Sequence, residues 1–149
     1  MVVSLLLAAA TYERNKDWQD AITLWSDVIA KNPQATRAHT NRGLRYLNLG
    51  KQQLALGDFN RALALKSNSA QSYINRANVN GQLGKYARAI EDCSQAIGLQ
   101  PDLKGVHYNR GNYYKQVGNF QQALDDYSRE TSRRSSSSRQ MKTASVGQP

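Results

Sequence analysis

The side chains best suited to chemistry are few in this chain and poorly spaced for it. His39 and His107 stand 68 residues apart, and Cys93 is the single cysteine. Neither histidine has a partner at the spacing of a metal site or a nucleophile–base–acid triad. Both are therefore expected to be surface or packing residues. Glu91-Asp92 and Asp125-Asp126 are adjacent carboxylates, but neighbours in a helix point to different sides and make poor acid/base pairs. No phosphate-cradling GxxxxGK[ST] or GxGxxG string occurs. One cysteine cannot form an intramolecular disulfide. The reading is a chain without catalysis, cofactor or metal.

A second set of residues is spaced much more regularly. Arg42, Arg76 and Arg110 are each followed 16 residues later by an acid, at Asp58, Asp92 and Asp126. The corresponding upstream places hold Ala8 and Leu24, so both members are present together or absent together. A planar guanidinium holds a carboxylate through two parallel hydrogen bonds. The expected role is an ion pair that links two helices of one repeat, or one repeat to the next. Were the aspartates turned away, the arginines would be free to contact a ligand. Cys93 falls where other copies of the pattern have aromatics, which reads as a buried thiol rather than a nucleophile.

These residues are positioned by an internal repeat. Asn41-Arg42-Gly43, Asn75-Arg76-Ala77 and Asn109-Arg110-Gly111 start 34 residues apart. Gly50, Gly84 and Gly118 keep the same interval, as do Ala21, Ala55, Ala89 and Ala123. Each unit reads as two helices. Ala70–Leu83 forms the first, and Gly84 supplies the left-handed residue that ends it. Tyr86, Ala89, Ile90, Cys93, Ala96 and Ile97 then make one apolar stripe of the second. Pro101 marks the next break. Ala9, Gly43, Ala77 and Gly111 are small at one position of the first helix, which lets two helix backbones approach. Trp25, Phe59, Cys93 and Tyr127 share one position of the second. A single hairpin cannot bury both faces of this pattern, whereas stacked hairpins can.

Length and charge agree. The chain has 149 residues, 40% of them apolar, so it can bury a core. Its 20 Lys+Arg against 11 Asp+Glu give a net charge of +9. Residues 36–69 hold Arg37, Arg42, Arg45, Lys51, Arg61 and Lys66 against Asp58 alone. Residues 131–149 carry four basic residues and no acid, are rich in Ser and lack apolar periodicity, and are expected to be a disordered tail. No apolar run reaches the roughly 18 residues that span a bilayer. Met1–Ala10 is a short apolar stretch and no Lys or Arg occurs before Arg14, so it reads as a first helix rather than a secretory signal.

A 34-residue helix–turn–helix with Gly/Ala, Tyr, Gly, Ala, aromatic, Ala and Pro in this order resembles the tetratricopeptide repeat. The resemblance covers residues 2–35, 36–69, 70–103 and 104–130, so the array spans 1–130 and the tail 131–149. It implies an all-α, right-handed α-solenoid of four helical hairpins. Two departures stand out. Asn80 replaces the tyrosine of Tyr12, Tyr46 and Tyr114, and Glu130 replaces the small or aliphatic residue of Val28, Ala62 and Ala96. Leu5–Pro33 is also loosely similar to repeat modules of bacterial membrane glycosyltransferase-like proteins.

The resemblance implies a non-catalytic scaffold that takes an extended peptide in its concave groove, which the first helix of each hairpin lines. Asn41, Asn75 and Asn109 then form a carboxamide ladder able to hydrogen-bond a peptide backbone, with Asn78 and Asn112 widening the strip. Arg37, Tyr108 and Lys115 join them as binding residues, beside Thr40, Leu44, Gln71 and Ile74. Arg37 and Lys115 favour an acidic partner. The chaperone-tail clamp of such repeats has Lys-xxx-Asn in one unit and Lys-xxx-Arg two units later; Leu6 and Ala10, Thr40 and Leu44, and Gln71 and Asn75 stand here instead, so its lysines are missing. Residues 120–127, with no further helix visible over them, are a candidate surface for self-association. The alternative reading is an accessory domain of a larger membrane-associated enzyme or secretion/assembly system. Nucleic acid is disfavoured, because nearly half the charge excess lies in the tail and the uniform asparagines offer no base code. A cytoplasmic place is the default expectation, with membrane-associated or periplasmic places as alternatives.

Overall fold

The computed structural model describes residues 20–146, with side chains as far as residue 133. The expectations at Leu6, Ala8, Ala9, Ala10 and Tyr12 lie outside the described residues. Every regular element described is a helix. These are α1 (residues 20–31), α2 (Thr36–Asn48), α3 (Gln52–Leu65), α4 (Ala70–Gln82), α5 (Tyr86–Leu99), α6 (Val106–Gln116) and α7 (Phe120–Val146). Three antiparallel hairpins result, α2/α3, α4/α5 and α6/α7.

The turn inside each hairpin is set by one glycine. Gly50, Gly84 and Gly118 have φ of 69°, 71° and 81°, where a side chain would be strained. The hydrogen bonds around them are the same three times. Lys51 N–H donates to the Tyr46 carbonyl at 2.8 Å, Lys85 N–H to Asn80 at 2.8 Å and Asn119 N–H to Tyr114 at 2.9 Å. Each glycine N–H reaches the carbonyl three residues back. This double closure is the Schellman ending of a helix, which satisfies two carbonyls that the helix leaves without partners.

The small residues of the first helices set how closely the hairpins close. A Cβ on Gly43 would lie 2.9 Å from the Phe59 ring, and one on Gly111 would lie 2.7 Å from the Tyr127 ring. The third copy has Ala77 at this place and Cys93 opposite, both completely or almost completely buried. The extra methyl is accommodated because the facing ring is gone. Interiors at organic-crystal density allow such exchanges only in pairs.

The core runs across repeat boundaries. Val79 of α4 joins Ala55 and Phe59 of α3, and Val106 of α6 joins Ala89, Cys93 and Ala96 of α5. Tyr86 of α5 stacks on Tyr113 of α6 with ring centroids 6.4 Å apart. Each hairpin therefore finishes its apolar burial on the next, as a solenoid requires. Residues 131–146, expected from composition to lack structure, continue α7. No Pro or Gly stands between Gly118 and Gly147 to stop that helix.

Candidate functional site

The arginines are held from behind by three helices at once. Arg42 donates from Nε and Nη2 to the two oxygens of Asp58 at 2.8 Å each, and from Nη1 to Ser26 Oγ at 3.1 Å. Arg110 repeats this with Asp126 at 2.8 and 2.7 Å and Ser94 at 3.0 Å. Arg76 bonds Asp92 at 3.1 and 2.6 Å and Asn60 Oδ1 at 3.0 Å. Each guanidinium thus ties its own first helix to the second helix of the same hairpin and to the second helix before it. The expected pairing within a repeat and the expected link between repeats are made by the same side chain.

The electrostatics follow from burial. The aspartate side chains are 3–6% exposed and the arginines 16–26%. Hydrogen bonds to the aspartates raise the arginine pKa values against the opposing effect of desolvation. Burial pushes the Asp126 carboxyl up, but hydrogen bonds from Arg110 and His107 outweigh it and hold the group below its ordinary value.

Of the two places expected for the histidines, the structure shows packing: both are buried, and each has a partner that the sequence reading did not assign. His39 Nδ1 lies 3.2 Å from Asp58, and His107 Nδ1 lies 3.0 Å from Asp126. His39 Nε2 also faces the Pro33 carbonyl at 3.1 Å. The signal was present as His-x-x-Arg at 39–42 and 107–110, which puts both donors one helical turn apart and facing the same acid. In the third copy the arrangement is exchanged. Tyr73 takes the histidine's place, and Asn80, in the tyrosine's place, donates to Asp92 at 3.0 Å. Every arginine still has an aromatic ring, Tyr46 at 5.8 Å, Tyr73 at 5.6 Å and Tyr114 at 5.8 Å. Every aspartate still has a second donor.

The asparagines of the ladder are not equivalent. Asn41 and Asn109 are half-buried, whereas Asn75 is 6% exposed and accepts from Gln71 Nε2 at 3.0 Å. Asn78 accepts from the Tyr113 hydroxyl at 3.4 Å and Asn112 from Tyr127 at 2.8 Å. Both hold their oxygens inward. Arg37 and Lys115 are exposed, as is Tyr108, whose ring lies 5.6 Å from that of Tyr127. Helices α2, α4 and α6 contain Arg37, Arg42, Arg45, Arg76, Arg110 and Lys115 but no Asp or Glu. All the acids of the three hairpins lie on the second helices or in the turns.

Cys93 is 1% exposed, and burial pushes its thiol up to about 12. No group of three or more metal-ligating side chains occurs among the described residues. No described helix is long and apolar enough to cross a membrane.

Stacked hairpins joined by periodic polar clamps define a helical-repeat scaffold. Comparison with known proteins gives the family. Two profiles of the tetratricopeptide repeat match, one over residues 6–70 and the other over residues 70–103. The chain belongs to the tetratricopeptide-repeat proteins. Serine/threonine-protein phosphatase 5 of Homo sapiens is 36% identical over 69 residues, and that of Rattus norvegicus gives the same figures. The match takes in 46% of this chain and 14% of the relative's length. Among solved structures, a crystal structure of MamA superposes with a TM-score of 0.76 at 21% identity, covering 82% of this chain and 71% of that one. MamA from Desulfovibrio magneticus RS-1 gives 0.77 at 19% identity, covering 83% and 70%. These likenesses are of fold, an all-helical repeat solenoid.

Proposed function

We propose that this chain binds an extended, acidic segment of a partner protein along the surface lined by α2, α4 and α6, without catalysing a reaction. One observation carries the reading. The three first helices present cations and carboxamides and no carboxylate. Arg37 at one end and Lys115 at the other are exposed and supply charge. Asn41 and Asn109 supply paired donors and acceptors for a backbone. At the sunken middle position Gln71, exposed and bonded over Asn75, takes over the contact. Asn78 and Asn112 keep their amide hydrogens for the ligand, since only their oxygens are used by the tyrosines. Tyr108 offers a flat apolar surface. Neighbouring helices pack 8–10 Å apart, so α2 to α6 spans about 20 Å, which roughly six extended residues cross.

The test is fluorescence anisotropy with a labelled Asp/Glu-rich peptide of about ten residues. Binding should saturate, weaken with salt and fall about tenfold or more in Asn41→Ala/Asn109→Ala. An unchanged affinity in that variant sinks the reading.

Self-association through the last hairpin belongs to the same proposal. Tyr86 and Ile90 of α5 are half-buried, and Tyr86 stacks on Tyr113 of α6, while Phe120 and Leu124 at the same repeat positions of α7 are 64% and 61% exposed. Sedimentation of wild type against Phe120→Ser/Leu124→Ser checks it, with a concentration-dependent rise in mass expected only in wild type. The alternative of an accessory domain in a larger enzyme or assembly draws on one observation. The curated relatives carry the matching repeats as 14% of a longer protein. Leu5–Pro33, the segment loosely similar to membrane glycosyltransferase-like modules, falls almost wholly inside the tetratricopeptide match.

A further inference from the structure

The third copy of the repeat, hairpin α4/α5, departs from its neighbours at one clamp, where a cavity lies. A space of about 220 Å³ opens between α3, α4 and α5, lined by Leu56, Asn60, Arg76, Asn80, Arg88, Glu91 and Asp92. Arg76 and Asn80 come from the first helix α4 and the rest of the lining from the second helices α3 and α5, and none of these residues belongs to the proposed peptide strip. At this repeat position the second and fourth copies carry Tyr46 and Tyr114, each within 5.8 Å of its arginine. Asn80 is shorter by a ring. The ring that does meet Arg76 comes from Tyr73, one turn earlier in α4. The wall also differs from that of the second copy, because Arg88 and Glu91 stand where the second copy has Leu54 and Gly57.

Asn80 shows which chemistry the cavity lacks. It is 2% exposed, and its Nδ2 is committed to Asp92 at 3.0 Å, which fixes the orientation of the amide. Its Oδ1 is buried with no hydrogen-bond partner. A buried acceptor without a donor loses the hydrogen bonds it had in water. The four charged side chains around the space are two of each sign, so a charged occupant gains nothing net from them. A neutral group with an apolar body and one donor fits better.

We propose that this cavity is a docking site for a tyrosine side chain of a partner protein. The ring packs on Leu56 and on the guanidinium of Arg76, replacing in trans the ring that Tyr46 and Tyr114 supply in cis. The phenolic hydroxyl donates to Asn80 Oδ1. A guanidinium between two rings, Tyr73 and the incoming one, is a recurrent cation–π arrangement.

The probes are N-acetyl-tyrosinamide and N-acetyl-phenylalaninamide, titrated into the ¹⁵N-labelled full chain. The tyrosine probe should give saturable shifts at Leu56, Asn60, Asn80 and Glu91. The phenylalanine probe should bind about tenfold more weakly, the size expected for one hydrogen bond to a buried acceptor. Asn80→Tyr supplies the ring from within and should abolish binding while preserving the circular dichroism spectrum and the binding of the acidic peptide. Asn80→Ala keeps the space but removes the acceptor, and should bring the two probes to equal affinity. Absence of saturable shifts at these residues, equal affinity of the two probes for the wild type, or binding retained by a folded Asn80→Tyr overturns the proposal.

Discussion

Replacing Arg110 by Met is expected to do far more damage than loss of a surface charge. The side chain is 16% exposed and its partner Asp126 is 3% exposed. Two charge-assisted bonds, at 2.8 and 2.7 Å, disappear, together with the bond to Ser94 that joins this hairpin to the one before. Removing one member of a buried pair typically costs 3–5 kcal/mol, because the other is left buried and charged. His107 remains bonded to Asp126 and softens the loss, so about 3 kcal/mol is expected, near the low end of that range. That is a large share of the roughly 5–15 kcal/mol that holds a domain folded. Urea unfolding followed by circular dichroism reads the loss as a lower midpoint. Arg110→Lys should recover only part of it, since an ammonium cannot make the paired bonds. Arg110→Met/Asp126→Leu should be more stable than the single variant, because the stranded carboxylate is gone. A single-variant loss below about 1 kcal/mol, the value of an exposed pair, would refute the clamp argument.

Four further outcomes follow. Asp126 has a lowered carboxyl, so its contribution is present above the ordinary carboxylate range and is lost as pH falls through its depressed folded value; acid unfolding of wild type should be steeper than that of Asp126→Asn. Gly43→Ala pushes a methyl into the Phe59 ring and should cost about 1–3 kcal/mol, and adding Phe59→Cys, which copies the Ala77–Cys93 pair, should restore part of it. Gly84→Ala forces a side chain into φ 71° and should cost about 1–2 kcal/mol, read as a lowered melting temperature. The Cys93 thiol, buried and raised to about 12, should react with a thiol reagent at neutral pH only as fast as the chain opens, and at full rate in denaturant.

Much of the fold was legible because the residues that set it act locally and recur. A glycine at the end of each first helix dictates a left-handed turn whatever surrounds it, so the hairpins follow from Gly50, Gly84 and Gly118. The Arg–Asp pairing was legible because both members were missing together upstream. The histidine partners were less legible, since His-x-x-Arg is neither a ligand nor a triad spacing and shows only that a second donor sits one turn from each arginine. The meaning of Asn80 was also hidden. Its exchange with Tyr73 makes sense only once both are seen around one guanidinium. Periodicity shows which face a residue occupies and says nothing of its depth, so it could not show that Gln71 lies over Asn75. Composition suggested disorder after residue 130, but serine and arginine without Gly or Pro give a helix no stop signal.

The most direct measurement is a map of amide shifts in the ¹⁵N-labelled chain on titration with the acidic peptide. The account predicts saturable changes confined to α2, α4 and α6, greatest near Arg37, Asn41, Asn109 and Lys115. Changes concentrated on α3, α5 and α7, with those first helices silent, would contradict it.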